Sequence, residues 1–154
     1  MSKLIFEEKQ RFNQWWLWLI ILGSFAFITM KIFKSGTLSE NLPPALILFS
    51  VVILFLIINL RTKIDEVGIH IKMFPFHFNP VTYKWNDIHS VKVREYSPLF
   101  EYGGWGIRIG PNGKAFNIKG NKGIEIKTAK GKTRMIGTQK MEEAQKTIDQ
   151  YLNN

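Results

Sequence analysis

Hydrophobic and polar positions divide this chain into two textures. From Trp15 to Leu60 apolar residues are nearly unbroken; from Arg61 onward they alternate with polar ones. The first texture holds two runs, WWLWLIILGSFAFITMKIF (Trp15 to Phe33) and LPPALILFSVVILFLIINL (Leu42 to Leu60), each of 19 residues. At about 1.5 Å per helical residue each would reach roughly 28 Å, close to the hydrocarbon thickness of a bilayer. The only charge in either run is Lys31, near an end, where its stem can snorkel to the headgroups. The pattern predicts a membrane helical hairpin with helices at 15–33 and 42–60. The link Lys34–Asn41 is short enough to make the helices antiparallel neighbours. Pro43 and Pro44 would then sit in the first turn of the second helix, where a missing N–H costs little. Trp15, Trp16 and Trp18 at one end, and Lys31 and Lys34 at the other, read as membrane-interface anchors, joined by Arg61 and Lys63 just past the second run.

The second texture has the period of half-buried strands. Ile69, Ile71 and Met73 alternate with His70 and Lys72, after a turn at Asp65-Glu66-Val67-Gly68. Asn79-Pro80 is a turn, and Val81–Trp85 a short strand. Val91/Val93, Trp105/Ile107/Ile109, Phe116/Ile118 and Ile124/Ile126 each alternate with polar or small residues, and Lys130-Gly131 turns the chain into Thr133–Ile136. Such a series predicts an antiparallel all-β barrel or sandwich. The tail differs: Thr138 can cap a helix, Glu142 and Glu143 suit its first turn, and Met141, Ala144, Ile148, Tyr151 and Leu152 share a face. A C-terminal amphipathic helix should therefore close the sheet, chiefly through Ile148 and Leu152.

These textures give three segments: 1–14, 15–60 and 61–154. The first is polar with scattered Leu4, Ile5, Phe6 and Phe12, the pattern of a short interfacial helix or of a disordered lead-in. Ser24-Phe25-Ala26 is a small-x-small triplet, but the apolar run continues past it and Glu7 and Glu8 precede it, unlike a cleaved signal peptide. The formal net charge is +9, of which residues 1–60 carry five Lys/Arg against three Asp/Glu. A basic domain tethered to a bilayer suits an anionic lipid surface or an acidic partner. Lys3, Lys9, Arg11, Arg61 and Lys63 flank the outer ends of the hairpin, against Lys31 and Lys34 at the connection. That bias of five to two predicts a two-pass protein with both termini cytoplasmic.

Chemistry is sparse. The absence of cysteine excludes disulfides, thiolate zinc sites and Cys nucleophiles. His70, His77 and His89 match no metal spacing, and Asp87 with His89 lacks a nucleophile. Gly104-Trp105-Gly106 opens no helix and lacks the Gly-Lys-Ser/Thr of a phosphate loop. The lysines from Lys119 to Arg134 alternate on hairpins as a solvated face, without the stacking groups of a nucleic-acid surface. The reading is a non-enzymatic protein, without cofactor, metal or nucleic-acid partner.

Strands followed by one terminal helix is the plan of the pleckstrin-homology (PH) superfold. DEVGIHI at Asp65–Ile71, WNDIHSVKVREY at Trp85–Tyr96, YGGWGIR at Tyr102–Arg108, NIKGNKGIEI at Asn117–Ile126 and IGTQK at Ile136–Lys140 resemble the PH-like domain of small bacterial two-helix membrane proteins. The resemblance covers about residues 61–152. It implies a PH-like fold in a bacterial cytoplasmic membrane and little chemistry, because a fold does not fix a function. The phosphoinositide site of PH domains does not carry over, since the first inter-strand loop is tight and begins with Asp65-Glu66. What remains is a membrane-anchored interaction module that binds a protein partner or a second copy, or a reader of anionic lipid through its basic residues. In PLFEYGGWGIR, Pro98–Arg108, large side chains adjoin glycines. Tyr102, Trp105 and Arg108 are the candidate interaction surface there, against the plainer reading that Trp105 plugs the barrel.

Overall fold

A computed structural model describes residues 5–35 and 38–152. The chain divides into two units, Phe12–Ile58 and the remainder.

The first unit is a pair of helices, α1 (Trp15–Ser35) and α2 (Leu38–Ile57). Both are long and apolar enough to cross a membrane. The apolar stretch of α2 is not buried within the protein itself. Leu22, Phe27, Met30, Ile47, Phe49 and Leu56 all stand exposed. The rings of Phe12, just before α1, and Phe55, near the end of α2, meet edge-on at 5.1 Å. The helices are thus antiparallel. α2 starts one turn earlier than Leu42 and ends before Leu60. Ser39, Glu40 and Asn41 make a polar first turn, with Glu40 at the positive end of the helix dipole. Pro43 and Pro44 consequently lie inside the helix rather than in its first turn. The predicted link shrinks to residues 36 and 37, which lie outside the described residues.

The second unit contains two sheets. The first, ordered β1-β2-β3-β4, comprises β1 (Phe6–Arg11), β2 (Asn59–Ile64), β3 (Gly68–Phe74) and β4 (Val81–Lys84), all antiparallel. Within the segment before Trp15, Phe6–Arg11 is therefore a strand of this sheet rather than part of an interfacial helix or a disordered lead-in; residues 1–4 lie outside the described residues. Its inward positions are Phe6, Glu8 and Gln10, and the two polar ones have partners. Glu8 accepts from Thr138 Oγ1 at 2.6 Å and from the Gln139 amide at 2.8 Å, and Gln10 Nε2 donates to the Gly137 carbonyl at 2.8 Å. Buried polar groups are tolerated where such bonds replace water. Gly68 closes the β2–β3 turn at φ +155°, where a Cβ would fall 2.1 Å from the Tyr83 carbonyl oxygen.

The second sheet is ordered β5-β8-β9-β7-β6: β5 (Ile88–Glu95), β6 (Gly106–Gly110), β7 (Gly113–Asn117), β8 (Lys122–Thr128) and β9 (Thr133–Gly137). It is not purely antiparallel, because β7 and β9 run parallel. Trp105 precedes β6 rather than alternating within it, and Ile109 is 83% exposed on this edge strand. The core holds Leu60, Ile64, Ile69, Ile71 and Met73 from the first sheet and Phe116, Ile124, Ile126 and Ile136 from the second.

The C-terminal helix α4 (Met141–Leu152) packs on β5 and β8 of one sheet and β1 and β2 of the other. Ala144, Thr147 and Ile148 are its buried residues. Leu152, expected to help seal the fold, is 52% exposed; the helix is held at that end by Tyr151, whose ring stacks on Trp85 at 5.6 Å. A short helix absent from the strand pattern, α3 (Pro98–Tyr102), lies over β6 and β7 of the second sheet.

Candidate functional site

In β1–β4, alternation sends one set of side chains inward and the other to the opposite face. That outer face carries Glu7, Lys9 and Arg11 from β1, Asn59, Arg61 and Lys63 from β2, His70, Lys72 and Phe74 from β3, and Thr82 and Lys84 from β4. The register arranges them in rows across the strands. Lys9 faces Arg61, and Arg61 faces Lys72. Arg11 faces Asn59, and Asn59 faces Phe74. Glu7, Lys63, His70 and Thr82 form the third row. Like charges directly opposite on a sheet repel. The Lys9 ammonium is accordingly held below its ordinary pKa by Arg11 first, then by its local desolvation and by Arg61. An open cleft of about 780 Å³ runs over this face; Lys9, Arg61, Lys63, Lys72 and His70 line it together with the carboxylates Glu7, Glu8 and Asp65.

The third row is neutralised from the turn. Asp65 accepts from Lys63 at 3.2 Å, from His70 Nε2 at 3.0 Å and from the Val67 amide at 3.0 Å. Burial opposes its ionisation, but the bonds from His70, Val67 and Lys63 outweigh burial and lower its pKa to about 2. His70 is fixed in turn by Thr82 Oγ1 at 2.8 Å, and Trp85 Nε1 donates to the Asp65 carbonyl. The Arg11 and Lys9–Arg61–Lys72 rows have no such relief: among the described residues none of these four cations forms an ion pair with a carboxylate.

The residues singled out near Pro98–Arg108 do not form one surface. Tyr102 is buried, 4% exposed, because α3 lays it over Ala115 and Met135 beside Tyr96. Its ring meets Tyr96 edge-on at 5.9 Å. It cannot anchor a partner, and its assignment to the interaction surface is corrected. Trp105 is half-buried and donates its indole N–H to the Gly120 carbonyl at 3.0 Å. Arg108 is exposed, with Nε bonded to the Trp105 carbonyl at 2.9 Å. The exposed apolar residues of this region are Leu99, Phe100 and Ile109 instead.

Of the interface anchors, Trp15 and Trp16 are exposed on α1, Trp18 is half-buried, and Lys31 sits over the Phe27 ring at 5.4 Å. Lys34 is exposed in the last turn of α1. Arg61 and Lys63 are not on a helix end but on β2 in the cationic face.

A second basic groove, about 540 Å³, lies by the β8–β9 hairpin between Lys127, Lys132 and Arg134. Its lining includes Glu125 and Arg94, which pair with each other at 2.7 Å.

No protein-family model matches the chain, and no curated protein matches its sequence.

Proposed function

We propose that this is a two-pass membrane protein whose PH-like unit holds anionic lipid headgroups against the outer face of its first sheet. The observation that carries the reading is the row Lys9–Arg61–Lys72, three like charges in register with no carboxylate partner among the described residues. A sheet tolerates such a row at a cost, and a bilayer phosphate is the counter-charge that relieves it, at about 1 kcal/mol per well-placed basic residue. Continuity with the helices supports it. β1 ends at Arg11, with three residues between it and α1, and β2 begins at Asn59, with only Ile58 between it and α2. Two of the three strands bearing the row, β1 and β2, thus adjoin the apolar helices in the chain. The five-to-two distribution of flanking Lys/Arg supports both termini on the cytoplasmic side. Two sheets with a terminal helix support the PH-like assignment, from which the strand before the first helix and the parallel β7–β9 pair are departures. No catalytic or cofactor role is assigned.

Amine-reactive footprinting of the full chain in nanodiscs tests the reading. Lys9 and Lys72 should lose reactivity in phosphatidylglycerol discs relative to phosphatidylcholine discs, with added salt restoring it, while Lys130 on the β8–β9 hairpin should not respond. Equal reactivity of Lys9 and Lys72 in both lipids would sink it.

The alternative, a protein partner or second copy, keeps one specific observation. Leu99, Phe100 and Ile109 are 59%, 93% and 83% exposed around α3 and the edge strand β6. An apolar cluster beside an open strand edge is the usual footing of a protein contact.

A further inference from the structure

The turn between β3 and β4 reads Phe74-Pro75-Phe76-His77-Phe78, and its residues alternate in direction. Phe74, Phe76 and Phe78 are 36%, 53% and 75% exposed, while Pro75 and His77 are half-buried. The loop is braced. The His77 amide donates to the Met73 carbonyl at 2.8 Å, and the His77 ring lies against Phe116 of the core at 5.4 Å. Phe74 and Phe78 meet edge-on at 6.3 Å. Three aromatic rings are thus held outward by inward-turned neighbours, an arrangement that leaves apolar surface in water unless something covers it.

Register shows what lies beside it. Phe74 faces Asn59, and Asn59 faces Arg11. This row is the end of the sheet at which the chain departs for α1 and returns from α2. The next row inward is Lys9–Arg61–Lys72. Aromatic side chains at an edge, backed one step behind by cations that form no ion pair among the described residues, match the layering of a bilayer surface: hydrocarbon first, then phosphate.

We infer that Phe74, Phe76 and Phe78 are a wedge that enters the interfacial layer of the same bilayer, seating the sheet so that Arg11, Lys9, Arg61 and Lys72 meet lipid phosphates. The inference rests on the membrane reading above and adds a depth and an orientation to it. A bilayer is favoured over a protein occupant because the aromatic edge is continuous with the chain's path into the apolar helices and the next row, Lys9–Arg61–Lys72, is cationic throughout.

The chain has no cysteine, so single spin labels can be placed cleanly. Asn79→Cys is exposed beside the wedge and keeps all three phenylalanines; Ile109→Cys is the aqueous reference. The full-length variants are labelled with a nitroxide and reconstituted into vesicles of phosphatidylcholine alone or mixed with phosphatidylglycerol. Accessibility to oxygen is then compared with accessibility to a water-soluble nickel chelate. The label at 79 should favour oxygen several-fold over the label at 109, and Phe76→Asp with Phe78→Asp should remove that preference. A label at 79 as open to nickel as the one at 109 overturns the wedge. So does a label shielded from both reagents with spin–spin broadening, which would mean a second copy covers the loop. The two readings fail separately. Oxygen preference in both lipids without lysine protection keeps the wedge and sinks the headgroup reading. Lysine protection with an aqueous label does the reverse.

Discussion

The two sheets are built on the same alternation and treat their outer faces in opposite ways. On the second sheet, Glu125 lies between Lys92 and Met135, in line with Ala115. α3 and Tyr96 cover Ala115 and Met135, and Arg94 bridges Glu125 at 2.7 Å and Glu101 of α3 at 2.7 Å. Burial disfavours the charged form of Glu125, but the Arg94 guanidinium and Lys92 outweigh it and lower its pKa. Bonds from Glu101 first, then Glu125, raise that of Arg94 against its own desolvation. Every charge in this cluster has its opposite. On the first sheet a row of cations stands on the outer face without a carboxylate partner among the described residues. A covered face must satisfy its charges internally; an open face can leave them for a partner. The difference separates the residues that hold this fold together from those free to act.

The largest expected effect is on the covered face. Tyr102→Ala should cost about 3–5 kcal/mol, the range for removing a large buried aromatic. Hydrogen exchange of the full chain in detergent would register it as lost protection of β7 and β9 amides. A variant with wild-type protection would mean that α3 is not part of the core. Next comes Arg94→Met, which leaves Glu125 and Glu101 without their cation. Because the Arg94 and Glu101 side chains are 27% and 23% exposed, the loss should be about 2–3 kcal/mol rather than the full cost of a buried orphan charge. Urea denaturation of the same preparation measures it, and Glu125→Gln in the Arg94→Met background should recover part.

These two residues also mark where sequence reasoning reaches and stops. The helices, the β2–β3 turn at Gly68 and most strands are legible because period and turn chemistry agree with the final packing. The strand Phe6–Arg11 is not, because two of its inward residues are Glu8 and Gln10. Their burial is set by the backbone and side chain of Gly137, Thr138 and Gln139, more than 120 residues away. α3 is a five-residue turn, too short for a period to be read. Without it Tyr102 looks like a surface aromatic beside glycines. Gly123 gives a related lesson: a Cβ there would lie 2.7 Å from Met135 Sδ and 3.0 Å from Tyr96, a constraint invisible until β9 and Tyr96 are in place. The cationic row was present in the sequence as Lys9, Arg61 and Lys72, but only the register of β1, β2 and β3 aligns them.

The third effect lies at the end of the open face where charges are paired. Asp65 has its folded pKa lowered from 3.8 to about 2. A carboxyl depressed on folding stabilises fully above its unfolded pKa, and the contribution disappears as pH falls through the folded value. The loss should therefore run from about pH 4 to pH 2, on the order of 2 kcal/mol in total. Glu101 and Glu125, also lowered, add to the same acid limb on the covered face. Asp65→Asn should flatten part of that limb in denaturation curves taken at successive pH values. An unchanged pH profile would mean that Lys63 and His70 do not hold the carboxylate.

The smallest effect on stability is the most telling for function. Arg61 stands between Lys9 and Lys72, so Arg61→Glu turns two like-charge neighbours into opposite ones. Cross-strand pairs contribute roughly 0.2–1 kcal/mol, and exposed substitutions stay within about 0.5 kcal/mol. The variant should be as stable as the wild type or slightly more so, with the gain fading as salt is added. The same change removes the central cation of the row and places a carboxylate where a phosphate would sit. Lipid-dependent protection of Lys9 and Lys72 should then fall although the fold is intact. Stability and lipid contact would move in opposite directions, which no structural role for Arg61 can produce. If Arg61→Glu instead destabilises the sheet, the row is held by interactions within the protein, and the contrast between an open face and a covered one no longer stands.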